Sequence, residues 1–374
     1  MSTHPRPRRR AGRGPQVAAL VIGVLLIVAV VVYGLSSTTT GVSGASDCVD
    51  DVVPVHAIIG SEKRVYFEDS AVRDRLRCLG FTVDTEDAGS LEMAKRAKEQ
   101  SGKVDVAFPG SDAAADNIKS ELRTADDFAV FSSPMVIVSD NATVAALRAD
   151  KSAEVVGGVA VVRLEKIIDL VAANKTWADL VGDANGTDRT RLVLRSTNPA
   201  ASNSGLQLLA LAAVVVSGDA GQVTPAQVPD IAKKVCPLFW EQGGKQIKSD
   251  ELFREWVGQN SRIRLAFVYE AQYLAERNLP QDNARLYPNP GISSVHRVIA
   301  FTDAGKRFGG ALRSDKGLAD LMIKHGFRPM GNPARPSGAV DTAVTQVTAP
   351  TFEVLRELNN QITTLLDKGN GCPK

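Results

Sequence analysis

From Val53 onward the chain alternates short, apolar, β-branched runs with longer stretches whose apolar residues recur at helical spacing. Runs of the first kind fit strands and those of the second kind amphipathic helices. Their regular alternation predicts parallel strands joined by helices, an α/β fold. Strands are expected at Val53 to Ile59, Phe81 to Thr85, Val104 to Phe108, Val155 to Val162, Leu192 to Arg195, Arg264 to Tyr269 and His296 to Phe301, with a strand pair or crossing segment over Phe128 to Val138. Helices are expected over Glu68 to Leu79, Leu91 to Glu99, Ala113 to Leu122, Leu164 to Ala173, Thr176 to Leu180, Gly205 to Ser217, Ser249 to Gln259, Glu270 to Glu276, Gly317 to His325 and Phe352 to Leu366. No internal repeat interrupts this order.

Ahead of that pattern lies Val17 to Leu35, an uncharged apolar run of nineteen residues. At about 1.5 Å rise per residue it is long enough to cross a hydrocarbon core. Residues 1–16 carry Arg6, Arg8, Arg9, Arg10 and Arg13 and no acidic residue. The positive-inside rule therefore keeps this tail cytoplasmic and sends everything after the span outside, as a single-pass protein of the cell membrane. Cleavage after Ala45 is the competing reading, because Ser43-Gly44-Ala45 offers small residues to a signal peptidase, although the apolar run exceeds the usual signal length. A lipid-attached Cys48 fits poorly, since Asp47 precedes it. Residues 36–48 are rich in Ser, Thr and Gly and read as a flexible spacer. Without the five tail arginines the formal charge of +2 becomes −3, so the exported part has no basic character calling for nucleic acid.

Cys48, Cys78, Cys236 and Cys372 all follow the span, in a compartment where thiols oxidise. Two disulfides are expected, with Cys48 to Cys78 and Cys236 to Cys372 favoured among the three connectivities because the first pair flanks one strand-helix unit; buried free thiols are the alternative. No C-x-x-C spacing supports a metal or redox site, and no cofactor is implied.

In an open parallel sheet, ligands bind beyond the carboxyl ends of strands, where helix N-termini present unpaired N–H groups. Those junctions here read Gly60-Ser61-Glu62-Lys63, Phe108-Pro109-Gly110-Ser111-Asp112, Phe131-Ser132-Ser133-Pro134 and Ser196-Thr197-Asn198-Pro199, followed by Ser202-Asn203-Ser204-Gly205 at the start of an apolar helix. Each loop alone is ordinary capping chemistry. Their recurrence points to an oxyanion or sugar site formed by Ser61, Glu62, Gly110, Ser111, Ser133, Ser196, Thr197, Asn198, Ser202, Asn203, Ser204, Tyr269 and Glu270. Glu62 complicates a dianion, which a nearby carboxylate repels unless a proton is shared; Lys63 is the alternative occupant of that place. Glu62 and Glu270 also have a plain reading as solvated or hinge-side carboxylates.

These loops, together with Asp105-Val106-Ala107-Phe108-Pro109-Gly110-Ser111, Thr176-Trp177-Ala178-Asp179-Leu180 and Val268-Tyr269-Glu270, resemble the type II extracytoplasmic solute-binding proteins of ABC transporters, including the phosphate-, molybdate- and sulfate-binding group. The resemblance covers roughly Val55 to Pro329, and Thr302-Asp303-Ala304-Gly305 with His325-Gly326-Phe327-Arg328-Pro329 is similar to an actinobacterial branch. It implies a two-lobed periplasmic-binding-protein-like fold with hinge crossovers. Lobe 1 would comprise residues 49–139 and 280–374, and lobe 2 residues 140–279. It also implies capture of a small polar, anionic solute and its delivery to an ABC permease. The uncleaved span departs from the family pattern and keeps open an envelope sensor or assembly factor with another envelope partner.

An enzyme is not expected. The chain has no G-x-S-x-G elbow, Walker loop or H-E-x-x-H motif, and His56, His296 and His325 are far apart and read as structural, which leaves an envelope hydrolase as the weakest alternative. Tyr66, Trp177, Trp240, Trp256, Tyr269 and Tyr287 could stack on a sugar but fit core positions better.

Overall fold

The computed structural model describes residue 1 and residues 48–124, 126–181, 188–218, 223–240, 248–258, 263–341, 344–367 and 372. The expected tail, the span Val17 to Leu35 and most of the spacer lie outside the described residues. Among the described residues no helix is long and apolar enough to cross a membrane.

Among the described residues ten strands carry the architecture: β1 (Val53–Ile59), β2 (Phe81–Asp87), β3 (Val106–Phe108), β4 (Asp127–Asp140), β5 (Ala153–Val156), β6 (Val159–Arg163), β7 (Ala266–Tyr269), β8 (Asn283–Asn289), β9 (Ser293–Ala300) and β10 (Arg328–Pro329). They join in the order β2-β1-β3-β9-β4-β8-β6-β5, with β7 and β10 also on β4. β1 alternates exposed and buried residues at its start and is continuously buried from Ala57 to Ile59, as suits a strand entering a core covered on both faces. It pairs in parallel with β2 and β3.

β4 is the element that makes two lobes. Its first half, from Asp127 to Pro134, pairs with β9 and β10, while its second half, from Met135 to Asp140, pairs with β7 and β8. At about 3.4 Å per residue, this 14-residue strand reaches across both halves of the molecule. The consecutive strands β8 and β9 make the return crossing beside it. The expected strand pair or crossing segment is thus one uninterrupted crossing strand, and the expected strand over Leu192 to Arg195 is reduced to isolated bridges at Arg191 and Arg195.

The apolar helix Asn203–Ser217 is buried on nearly every side, with helix Val228–Trp240 and the C-terminal helix Phe352–Asp367 packed against it. Helix Phe352–Asp367 also touches helix Asp112–Leu122 of the first half. The C-terminal helix thus touches helices of both halves. A disulfide joins Cys236 of helix Val228–Trp240 to Cys372, as expected. Cys48 and Cys78 are disulfide-bonded as well, and no described cysteine is free.

Two helices of the first lobe are locked reciprocally. Asp69 caps helix Ser70–Cys78 and also takes Lys324 at 2.9 Å and His325 at 2.8 Å, at the far end of helix Lys316–Lys324. Asp315 caps the latter helix and accepts from Arg75 Nε at 3.0 Å in the last turn of the former. The Lys324 hydrogen bond holds the Asp69 carboxyl below the usual carboxylate range, and the Arg75 hydrogen bond does the same for Asp315. A depressed folded pKa means stability present above the unfolded value, near 4, and lost as pH falls through the folded one. We expect wild-type Tm to drop steeply below about pH 4. The Asp69→Asn, Asp315→Asn pair, which keeps both caps but not their charge, should show a lower Tm at pH 7 and a shallower acid limb. An unchanged acid limb in thermal melts from pH 7 to 3 would rule the pair out as its source.

Candidate functional site

The loops singled out in the sequence converge where the two halves of the sheet meet. Ser61, Glu62 and Lys63 form a single turn of 3-10 helix directly after β1, and all three are buried. The loop after β3 places Gly110 beside the start of helix Asn203–Ser217 from the other lobe. Asn203 Nδ2 donates to the Gly110 carbonyl at 2.9 Å, and Gln207 Nε2 approaches the same oxygen at 3.3 Å. Ser294 of β9 also donates to it. Glycine is required at 110, because a Cβ there would lie 2.6 Å from Asn203 Nδ2. Asn203 Nδ2 also reaches the Tyr269 hydroxyl at 2.9 Å, at the end of β7.

Behind these contacts lies charge. Lys63 Nζ is completely buried, ion-paired with the equally enclosed Glu62 carboxylate, 3.1 Å from His296 Nδ1 and 5.1 Å from the centre of the Phe108 ring. His296 Nε2 lies 3.2 Å from Ser294 Oγ. Burial lowers the Lys63 pKa against the opposing pull of Glu62. Burial, reinforced by the neighbouring Lys63 charge, takes His296 well below the usual imidazole value, so its ring is neutral. Burial likewise pushes the Tyr269 hydroxyl well above its ordinary value, with Glu62 adding to the rise, so it is a neutral phenol. The assembly is a fully enclosed polar network holding one cation, one anion and several neutral donors, contributed by both lobes.

The hydroxyl loop uses its side chains at the helix start, in the capping role its composition allowed. Thr197 Oγ1 lies 2.8 Å from Ser204 Oγ and accepts from Gly205 N at 2.8 Å, and Ser202 Oγ lies 3.2 Å from Ser204 Oγ. These three hydroxyls thus brace the first turn of the helix, and Asn198 accepts from Ala200 N within its own loop. Ser196 is buried in the same loop, and Ser111 caps helix Asp112–Leu122.

Ser133 and Glu270 sit at the crossing strands. Ser133 Oγ accepts from Ala271 N at 3.0 Å, capping the helix that follows β7. Glu270 is buried and takes Arg328 through Nε at 3.0 Å and Nη2 at 2.7 Å, together with the Tyr287 hydroxyl. Its hinge-side reading is the one the geometry supports. Ser294, His296 and Gln207 belong to the central network and were left out of the sequence-based set, while Lys63, read there only as the alternative to Glu62, lies at its centre. The six aromatics are core residues apart from Trp240, which is 40% exposed.

The rim of this interface carries ion pairs between the lobes. Lys248 Nζ reaches Asp87 at 2.9 Å and Arg64 reaches Asp250 at 3.4 Å, with Arg64 also on Asp87. Gly89 faces the Ala201 backbone so closely that a Cβ would lie 2.7 Å from its carbonyl carbon. Beside the network a cavity of about 520 Å³ opens between Ser111, Asp112, Gln207, Ser293, Thr348 and Glu353, with carboxylates and hydroxyls but no basic side chain in its described wall.

No protein-family model matches the chain, and no curated protein matches its sequence. Among solved structures it is similar to the periplasmic binding protein AfuA from Actinobacillus pleuropneumoniae, solved with exogenous fructose-6-phosphate bound, at a TM-score of 0.57 and 11% identity over 85% of this chain and 98% of that one. It is likewise similar to iron-bound HitA from Pseudomonas aeruginosa, at a TM-score of 0.54 and 12% identity over 85% of this chain and 99% of that one. The chain therefore has the two-lobed, type II periplasmic-binding-protein fold that its loops resembled.

Proposed function

We propose that the chain is an extracytoplasmic solute-binding protein, tethered to the cell membrane through Val17 to Leu35, that takes a small anionic solute between its lobes and hands it to a membrane transporter. The observation that carries this reading is the convergence of polar groups from both lobes, Lys63, Gly110, Ser294 and His296 with Asn203 and Tyr269, around a buried ammonium. A ligand that touches both lobes stabilises only the conformation that brings them together, which is how a hinged protein reports occupancy. AfuA binds a sugar phosphate in the same fold, which supports an anion here. The reading is of binding without turnover.

A second reading draws support from the rim ion pairs and from the full enclosure of the network, which would also suit a two-lobed domain that stays shut and serves as an anchored sensor or assembly factor. The two separate in a thermal-shift screen of the full chain in detergent against phosphate, sulfate, molybdate, sugar phosphates, sugars and amino acids. A specific solute at about 100 times its Kd stabilises the folded state by about 2.7 kcal/mol, an easily seen rise in Tm. No rise across the panel would leave the partner-binding reading standing instead.

A further inference from the structure

A lysine with no solvent contact, paired with the carboxylate next to it in sequence, is an unusual thing to place between two lobes that must separate. Replacing a buried ion pair with well-packed apolar residues is often neutral or stabilising, so the pair earns its position some other way. Lys63 has three donors. One meets Glu62, the neutral His296 ring stands 3.1 Å away, and Phe108 faces the ammonium. Such a pocket seats a single oxyanion, and the oxyanion in residence belongs to the protein itself.

The local backbone is shaped for that occupancy. Gly60 has φ −78 and ψ 146, a conformation open to any L residue, so glycine is not needed there for its backbone freedom. What the missing side chain provides is room: a Cβ at Gly60 would lie 2.5 Å from both Glu62 carboxylate oxygens. The carboxylate folds back over its own strand end into the space that glycine leaves. Across the interface, Asn203 Oδ1 is buried without a hydrogen-bond partner among the described residues, although its amide nitrogen is fully used. The second lobe thus closes on a network that its own groups do not completely satisfy.

We propose that Glu62 is a tethered competitor for the solute: its carboxylate holds the oxyanion seat on Lys63 in the empty protein, and a solute carries a terminal carboxylate or phosphate into that seat as Glu62 turns out. The proposal rests on the solute-binding reading and narrows it to solutes with one accessible oxyanion. It makes Glu62 a threshold that discriminates against weak anions, while Lys63 is the group that receives the charge.

The test titrates the full chain in detergent with inorganic phosphate, glycerol 3-phosphate and succinate by calorimetry, with glucose as a neutral probe. Alongside wild type run Glu62→Gln, Lys63→Met and Gly60→Ala; the last keeps both charges and displaces the carboxylate by steric contact alone. Glu62→Gln and Gly60→Ala should each tighten binding of an oxyanion at least tenfold, and Lys63→Met should abolish it. The phosphate and succinate arms tell which oxyanion the seat prefers. Glu62→Gln should also melt lower than wild type without ligand and recover when the oxyanion is added, a response that a purely structural pair would not give. Oxyanion binding unchanged or weakened in both Glu62→Gln and Gly60→Ala overturns the proposal, as does silence of every variant toward all three oxyanions. Should wild type nevertheless bind glucose, solute binding stands and the competitor role alone falls.

Discussion

Replacing Glu270 by alanine is expected to lower stability by about 3–5 kcal/mol, the usual loss when one partner of a buried ion pair is removed and the other stays. Glu270 has no solvent exposure, and its carboxylate binds the Arg328 guanidinium through two nitrogens while accepting from Tyr287. Arg285 Nη1 stands 3.7 Å away as a second cation. These partners come from β8 and β10, and both strands pair with β4, where it passes from one lobe to the other. Removing the carboxylate takes the shared buried anion from both guanidinium groups and leaves Arg328 only the exposed Asp341 carboxylate at 3.2 Å. For a chain of this size the Tm should fall by roughly 4–7 °C, measured by differential scanning calorimetry. Glu270→Gln, which keeps hydrogen bonding but not charge, should fall by less. A change under about 1 kcal/mol for the alanine variant would show that the hinge does not depend on this carboxylate.

The second large effect concerns closure rather than folding. Gly89 lies in the loop after β2, and a Cβ there would meet the Ala201 carbonyl carbon and oxygen at 2.7 Å and the Ala200 oxygen at 3.1 Å. These are backbone atoms of the other lobe's loop, which has no flexible end to move aside. Gly89→Ala should therefore separate the lobes at this rim while leaving each lobe's own core intact. The rim ion pairs, Lys248 with Asp87 and Arg64 with Asp250, are partly exposed and worth only about 0.2–1 kcal/mol each, so resistance to the clash falls to the buried hydrogen bonds from Asn203 and Gln207 to Gly110. Small-angle scattering should report a larger radius of gyration for the variant, and any solute that bridges the lobes should bind at least tenfold more weakly. A scattering curve identical to wild type would mean that the loops can slide past each other.

The strand-helix order from Val53 to Leu122 was legible because those strands are short and β-branched and their helices amphipathic. Several elements escaped, helix Asn141–Ala149 among them, and three show the physical reason. β8 (Asn283–Asn289) contains Pro288 and Arg285 and lacks both alternation and an apolar run, yet it lies beside β4 in the middle of the sheet. Helix Val228–Trp240 includes Pro237, which reads as a break although the helix continues through it. Helix Asp303–Ser314 carries Gly309 and Gly310, a pair that argues against a helix; Gly309 is there because a Cβ would lie 2.5 Å from Phe128 Cδ2. Packing decided all three, and packing partners distant in sequence leave no local trace.

The candidate site shows the same limit. The loops rich in Ser, Asn and Gly meet between the lobes, where Asn203 hydrogen-bonds both Gly110 and Tyr269. The hydroxyls of Thr197, Ser202 and Ser204, however, are spent on one another, while the charged centre is Lys63 with His296. A histidine within a strand reads as structural, and Lys63 enters the sequence reading only as the alternative to Glu62. Only the convergence of β1 and β9 shows that the two side chains share one enclosed place.

The most direct test of the whole account is a lobe-to-lobe distance measured by pulsed electron resonance. Because every described cysteine is in a disulfide, cysteines introduced at Lys95 and Lys233, exposed positions on helices of the two lobes, can be spin-labelled selectively. For a hinged solute-binding protein the distribution should contain a long, open component that shrinks when the solute identified by thermal shift is added. A single distance that no solute alters would contradict it and leave a two-lobed domain that does not open.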